Sequence, residues 1–322
     1  MFCSVKNKKA FSLVEISIVV LIIGLLIAGI SKASDMIADS QLKGARSITK
    51  STKTGRIPGL LLWLETSASE SLKDNERFTG TSISSWSDIS PPNVPKLIFR
   101  QSGSATNGIK YNEGASSRLP YIGFTTSSDY LYPYEPSKTS ASFANLYTLS
   151  STQAFPLNEL TIFVVSQPDP SFSIFSFCPA AVGSAATLTV QSCTAGTHIT
   201  LGFGAASSGL IKLEYAGAVG TAGVLASNTG YKTTDGPFIY SVASQVGKAK
   251  IFINGGDSST LSTISALSSY IGSYRIGGGA ADGNIYELIV YSTLLSDDDR
   301  RKVEDYLAAK HKIKLAATRQ TF

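Results

Sequence analysis

The chain has 322 residues, 43% hydrophobic and 16% charged, enough for a sizeable core but too short for a large multidomain assembly. The charged share lies well below the roughly 25% of an ordinary soluble domain, so Ser, Thr, Gly and Tyr must supply an uncharged polar surface. The formal charge of +5 owes much to Lys6, Lys8 and Lys9; without the first ten residues 25 bases face 23 acids and the charge falls to +2, which excludes an electrostatic footprint for nucleic acid. Two histidines and three cysteines exclude a Cys/His zinc cluster as the organising feature.

The first element is a basic head running into FSLVEISIVVLIIGLLIAGI, 20 residues from Phe11 to Ile30 with one charge, Glu15. As a helix this run is about 30 Å long, enough to cross a bilayer once. A cleaved secretory signal would have a shorter apolar run and a small-residue site at its far end, which Ser31 to Asp35 do not offer. Lysines before the span place the N-terminus inside and the bulk of the chain outside the cytoplasm. A carboxylate in a spanning helix is expensive, about 2.5 to 3.5 kcal/mol for Asp at the centre. Near the cytoplasmic end Glu15 can instead reach the headgroups.

Lys8-Lys9-Ala10-Phe11-Ser12-Leu13-Val14-Glu15 resembles the class III leader of type IV pilins and pseudopilins. The resemblance implies cleavage by a prepilin peptidase between Ala10 and Phe11, methylation of the new N-terminus, and pairing of Glu15 with the N-terminal amine of a neighbouring pilin or pseudopilin subunit. Ala10 stands where the family most often has Gly. The organisation expected is a leader over 1–10, a transmembrane and assembly helix over 11–52, and a linker over 53–58 whose Gly55 and Pro58 end the helix. Ala33, Ile37, Ala38, Leu42, Ala45 and Ile48 continue the helical spacing beyond the membrane.

From residue 59 to 322 short strands alternate with Gly, Ser, Asn and Pro clusters. Strands are expected at 60–64, 160–166, 172–177, 199–203, 210–216, 238–243, 250–253 and 284–292, with large loops over 102–151. Without helical crossovers the sheets should be antiparallel, giving one β-sandwich. Ser296 should cap a helix whose first turn carries Asp297, Asp298 and Asp299, and Val303, Tyr306 and Leu307 should form its apolar face.

The closing strand and helix, with Leu60 to Leu64, Ser85 to Asp88, Lys250 to Gly256 and Tyr274 to Gly278, resemble concanavalin A-like, laminin-G-like jelly rolls, in which a final strand follows the helix. That fold hosts both glycan-binding modules and glycanases. Retaining glycanases need two carboxylates about 5 to 5.5 Å apart; Glu287 has no partner at period-two spacing, and Glu304 and Asp305 are adjacent on a helix. No nucleophile elbow, paired-histidine motif or phosphate loop is present, and His198 and His311 read as packing or surface residues. No enzymatic activity and no cofactor are therefore expected. Asp282 and Asn284 could hold Ca²⁺ as in some relatives, although a glycine-rich turn calls for the same residues.

Cys178 and Cys193 remain after Cys3 leaves with the leader. Outside the cytoplasm they are expected to form a disulfide, or else to pack as free thiols. Tyr130, Tyr132 and Tyr134, with Tyr121, Pro133 and Pro136, read as a Tyr/Pro loop able to stack on a glycan or meet a surface receptor. The expected function is a filament subunit displaying a lectin-like sandwich for adhesion or recognition. A minor pseudopilin of a type II secretion system and a membrane-tethered carbohydrate-active enzyme are the alternatives.

Overall fold

Nothing in the run from Leu13 to Ser51 interrupts a helix: it holds no proline, and its apolar residues recur at every turn until Ile30. In the computed structural model it is one α-helix, α1 (Leu13–Ser51, 39 residues). The structure describes residues 12–91, 96–101, 108–114, 119–125, 129–134, 159–167, 172–179, 198–203, 211–216, 223–226, 236–261, 272–278 and 283–322. The chain divides into two compact units, Met1–Lys43 and Gly44–Phe322. The division thus falls inside α1, and its last turns belong to the β unit.

The helix stops at Ser51, earlier than Gly55 or Pro58 would have stopped it. Residues 53–58 are not a loose linker. Thr54–Arg56 form a 3-10 turn, Thr54 and Ile57 are buried, and the Tyr291 hydroxyl donates to the Thr54 carbonyl at 3.0 Å. Gly55 serves close packing: a Cβ there would stand 3.0 Å from Pro91 and 3.3 Å from Trp63.

The β unit contains β1 (Leu60–Glu65), β2 (Ser85–Ser87), β3 (Ile98–Gln101), β4 (Ile109–Glu113), β5 (Pro120–Phe124), β6 (Leu131–Tyr134), β7 (Glu159–Gln167) and β8 (Ser173–Pro179). It continues with β9 (His198–Phe203), β10 (Ile211–Ala216), β11 (Gly223–Ala226), β12 (Phe238–Gln245), β13 (Lys248–Ile253), β14 (Asp257–Leu261), β15 (Gly272–Ile276), β16 (Gly283–Tyr291) and α2 (Asp297–His311). One sheet runs β14-β13-β12-β7-β16-β5-β4, with β1 also paired to β16; the other runs β11-β10-β9-β8-β15-β6-β3-β2. The pairings between these strands are antiparallel. The expected mainly β architecture, an apolar N-terminal helix followed by an antiparallel sandwich and a short C-terminal helix, is observed.

Three strands, β4, β5 and β6, occupy part of the stretch read as large loops. Tyr132 and Tyr134 are consequently strand residues, in register with Arg100 and Ile98 of β3, not loop residues. Proline at 133 and the shortness of each strand hid this ladder.

The main core lies between the sheets and includes Ile162, Val164, Val242 and Ile251 of one, and Phe99, Leu131, Phe175, Leu201 and Ile276 of the other. A second cluster on the far face of the first sheet joins Phe163, Val165, Ile239 and Ile289 to Val303, Tyr306 and Leu307 of α2. That covering helix explains why both alternating sets of β12 are buried, Ile239, Ser241 and Ala243 as well as Tyr240 and Val242. A sheet covered on both faces does not read as apolar-in, polar-out.

Ser296 caps α2 as expected, its Oγ accepting from the Asp299 amide at 3.1 Å, and Lys312 ends it in the left-handed region at φ 55°. No strand follows α2 among the described residues. The tail instead crosses the β13–β14 turn, where Ala316 donates to the Asn254 carbonyl and Gln320 to that of Gly255, both at 3.0 Å. Arg319 binds Glu304 and Asp305 at 2.5 Å.

Candidate functional site

Two regions carry unusual chemistry. The first is the N-terminal start of α1. The Ser12 amide donates to Glu15 Oε2 at 2.8 Å, and the Val14 amide donates to Ser12 Oγ at 3.2 Å. Glu15 thus reaches back as in a capping box, while the Ser12 hydroxyl caps the amide two residues on. The Ser12 amide satisfies one carboxylate oxygen of Glu15. From Leu13 to Ile30 the helix is long and apolar enough to cross a membrane, and its large apolar side chains, such as Leu21, Leu25 and Ile30, are exposed.

The second is a buried polar cluster at the base of α2. Glu65 ends β1 and Glu287 lies within β16, and the strand register sets them directly opposite each other. Like charges so placed repel. Lys310 answers both: its Nζ is 2.6 Å from Glu65 Oε1 and 2.8 Å from Glu287 Oε2. Glu287 also accepts from Trp63 Nε1 at 2.8 Å and from the Tyr306 hydroxyl at 2.7 Å, and its Oε2 is 3.0 Å from His311 Nε2. Ser67 donates to Glu65. Glu65, Glu287, Lys310 and His311 are all buried.

One lysine faces two buried carboxylates, and the unequal donor sets shift them in opposite directions. Burial pushes Glu287 up, but the Lys310 charge and the hydrogen bonds from His311 and Lys310 outweigh it and hold the carboxyl at about 2. Glu65 has fewer donors, so burial, reinforced by the charge of Glu287, raises it. Burial lowers His311 despite its contact with Glu287, and raises the Tyr306 hydroxyl well above its usual range, helped by both carboxylates.

The last turns of α1 close the cluster into a ring. Arg46 Nε donates to the Ser67 carbonyl at 2.7 Å; Ser67 leads through Glu65, Lys310 and Glu287 to Tyr306; and Tyr306 shares a hydrogen bond of 3.2 Å with Thr49 Oγ1. Arg46 and Thr49, three apart, stand on one helix face.

The sequence reading missed this cluster because Glu287 has its partner carboxylate across the sheet, not along its own strand. A usable signal was present in LLLWLE and IYELIVY, each an apolar strand holding one acid that burial obliges to find a cation.

Among the described side chains, none of the other predicted positions hydrogen-bonds to this cluster. Ala10, Phe11, Cys193 and Asp282 lie outside the described residues, as does the side chain of Cys178, whose backbone in β8 is in register with Ser273. The side chains of Tyr132 and Tyr134 also lie outside them. Tyr130 is half-buried, with the Arg275 guanidinium stacked 3.8 Å from its ring centroid. Tyr121 packs against Tyr286 at 5.2 Å. Asn284 is a β16 residue whose carbonyl accepts from Ser166 Oγ at 2.6 Å. Among the described residues no three His, Cys, Asp or Glu side chains group as a metal site.

A family model described as a prokaryotic N-terminal methylation motif matches residues 5–31. The chain thus has a pilin-like N-terminus joined to an apolar helix. No curated protein matches the sequence. Among solved structures, the binding domain of botulinum neurotoxin DC in a complex is similar, with 12% identity, 77% of this chain and 51% of that one covered, and a TM-score of 0.47. The binding domain of botulinum neurotoxin serotype C1 gives 10%, 79%, 53% and 0.47. That of Paraclostridial mosquitocidal protein 1 gives 9%, 80%, 53% and 0.49. The chain spans about half the length of each.

Proposed function

We propose that the chain is a type IV pilin-like or pseudopilin subunit that carries a β-sandwich out of the membrane on its assembly helix. A prepilin peptidase cuts between Ala10 and Phe11, the apolar run anchors the product in a bacterial inner membrane, and the sandwich lies outside the cytoplasm. The observation that carries this reading is the methylation motif over residues 5–31 leading into a helix unbroken to Ser51. Cutting before the apolar run leaves the anchor attached, as an assembling subunit requires.

The sandwich in this reading is a concanavalin A-like jelly roll that recognises a glycan or surface receptor without catalysis. Support comes from the carboxylates that a glycanase would need. Glu287 and Glu65 are buried and tied to Lys310, so they cannot flank a sugar bond. The intact mass of the membrane-bound protein tests the processing and anchoring on which this reading rests. It should equal that of the chain from Phe11 plus one methyl group; a mature N-terminus beyond Ile30 would refute it.

A further inference from the structure

The ring that ties α1 to the sandwich contains four groups whose charges must balance in a dry interior. Lys310 and Glu287, an ion pair at 2.8 Å, cancel each other. Glu65 and His311 then cancel only when they hold one proton between them, as neutral Glu65 with neutral His311 or as an ion pair. Removing that proton leaves one uncompensated negative charge, and adding a second leaves one positive charge. Either is costly where water cannot reach.

From β1 come Glu65 and Trp63, whose amide donates to the buried Asp88 at 3.0 Å. From β16 come Glu287 and Tyr286, the latter edge-on to His311 at 6.0 Å, with Tyr121 of β5 behind it. The Tyr291 hydroxyl is turned onto Thr54. Helix α2 supplies Tyr306, Lys310 and His311, and α1 supplies Arg46 and the neutral Thr49. Tyr121, Tyr286 and Tyr291 are all raised by burial, and so is Asp88. Two atoms of the cluster, Glu65 Oε2 and His311 Nδ1, are buried without a hydrogen-bond partner, one on each of the two groups between which the proton is shared.

We propose that this cluster is a proton-counting clip: with one proton on Glu65 and His311 it holds the last turns of α1 against the sandwich, and it releases them on either gain or loss of a proton. Arg46 and Thr49 are the two fastened residues, because their partners, the Ser67 carbonyl and the Tyr306 hydroxyl, are the members of the ring that face α1. The signs agree with the geometry. Glu65 is raised, so its contribution is present in acid and is lost as pH rises through its folded value; His311 is lowered, so its contribution is present in alkali and is lost as pH falls through its own.

Hydrogen exchange of the full-length protein in detergent micelles tests this. Protection factors, corrected for intrinsic exchange, are measured from about pH 4 to about pH 10, a range spanning the ordinary values of Glu, His and Lys. Amides 44–51 should be most protected at intermediate pH and should lose protection on both sides by up to about tenfold per pH unit, the slope of a one-proton linkage. The amides of β7 and β12 should not follow. Glu65→Gln, fixed neutral, should remove the alkaline fall and keep the acid one. His311→Gln should remove the acid fall and keep the alkaline one. A profile flat in the wild type, an alkaline fall that persists in Glu65→Gln, or a fall shared equally by β7 and β12 would each overturn the clip.

Discussion

Lys310 is the residue on which most depends, because its Nζ lies between two opposed, buried carboxylates, within 2.8 Å of each. Removing one partner of a buried ion pair leaves a charge uncompensated, at a typical cost of about 3 to 5 kcal/mol. Lys310→Met should therefore lower stability in urea by that amount, and adding Glu287→Gln should recover part of it, since two neutral groups no longer demand a cation. If the double variant is as unstable as the single one, packing rather than charge is the cause. Acid should act in the same place. Glu287 is depressed from 4.5 to about 2, so its contribution is present above pH 4.5 and is lost toward pH 2. His311 is depressed from 6.5 and loses its contribution earlier, on the way down from neutrality. In Glu65→Gln, which lacks the opposing gain from the raised Glu65, the urea midpoint should fall in two stages on acidification, and a midpoint of that variant independent of pH from about 7 to about 3 would contradict both assignments.

At the level of elements, legibility followed the origin of the signal. The helix α2 was readable from Ser296, its three aspartates and its apolar spacing, because capping and periodicity are local. Ser296→Ala should cost about 1 kcal/mol, with the far-ultraviolet signal of the folded state unchanged and the urea midpoint reduced. Strands of the covered sheet were readable as apolar runs, β7 and β16 above all. Those of three to five residues, β2 to β6, β11, β14 and β15, were missed because pairing, not composition, makes them strands. The ring was invisible for the same reason: Arg46, Glu65, Glu287, Tyr306 and Lys310 are scattered along the chain and meet only through strand register and the docking of α2. Cys178 and Cys193 belong to this scale too. Folding outside the cytoplasm should join them, and a bridge over so short a loop contributes about 3 kcal/mol. Quantitative alkylation of both thiols in the unreduced, denatured protein would exclude the bridge.

For the molecule as a whole, the decisive residue is Glu15, because it alone makes the apolar helix worse as a simple anchor. An isolated subunit caps Ser12 with one carboxylate oxygen, which reduces but does not abolish the cost of holding a charge at the membrane. In a filament the free amine of a neighbouring chain, exposed by cleavage before Phe11, would take up the remaining oxygen and convert that cost into an attraction felt only on assembly. The two roles are separable by substitution. Glu15→Ala removes the insertion cost and the attraction together, so it should enter the membrane at least as well as the wild type, with the sandwich folded and the helix intact, yet yield few or no filaments in sheared fractions. Glu15→Gln should keep the cap but lose the ion pair, and should assemble almost as poorly. Filament yield equal to wild type in both variants would reduce Glu15 to a helix cap and leave the apolar run a plain membrane anchor.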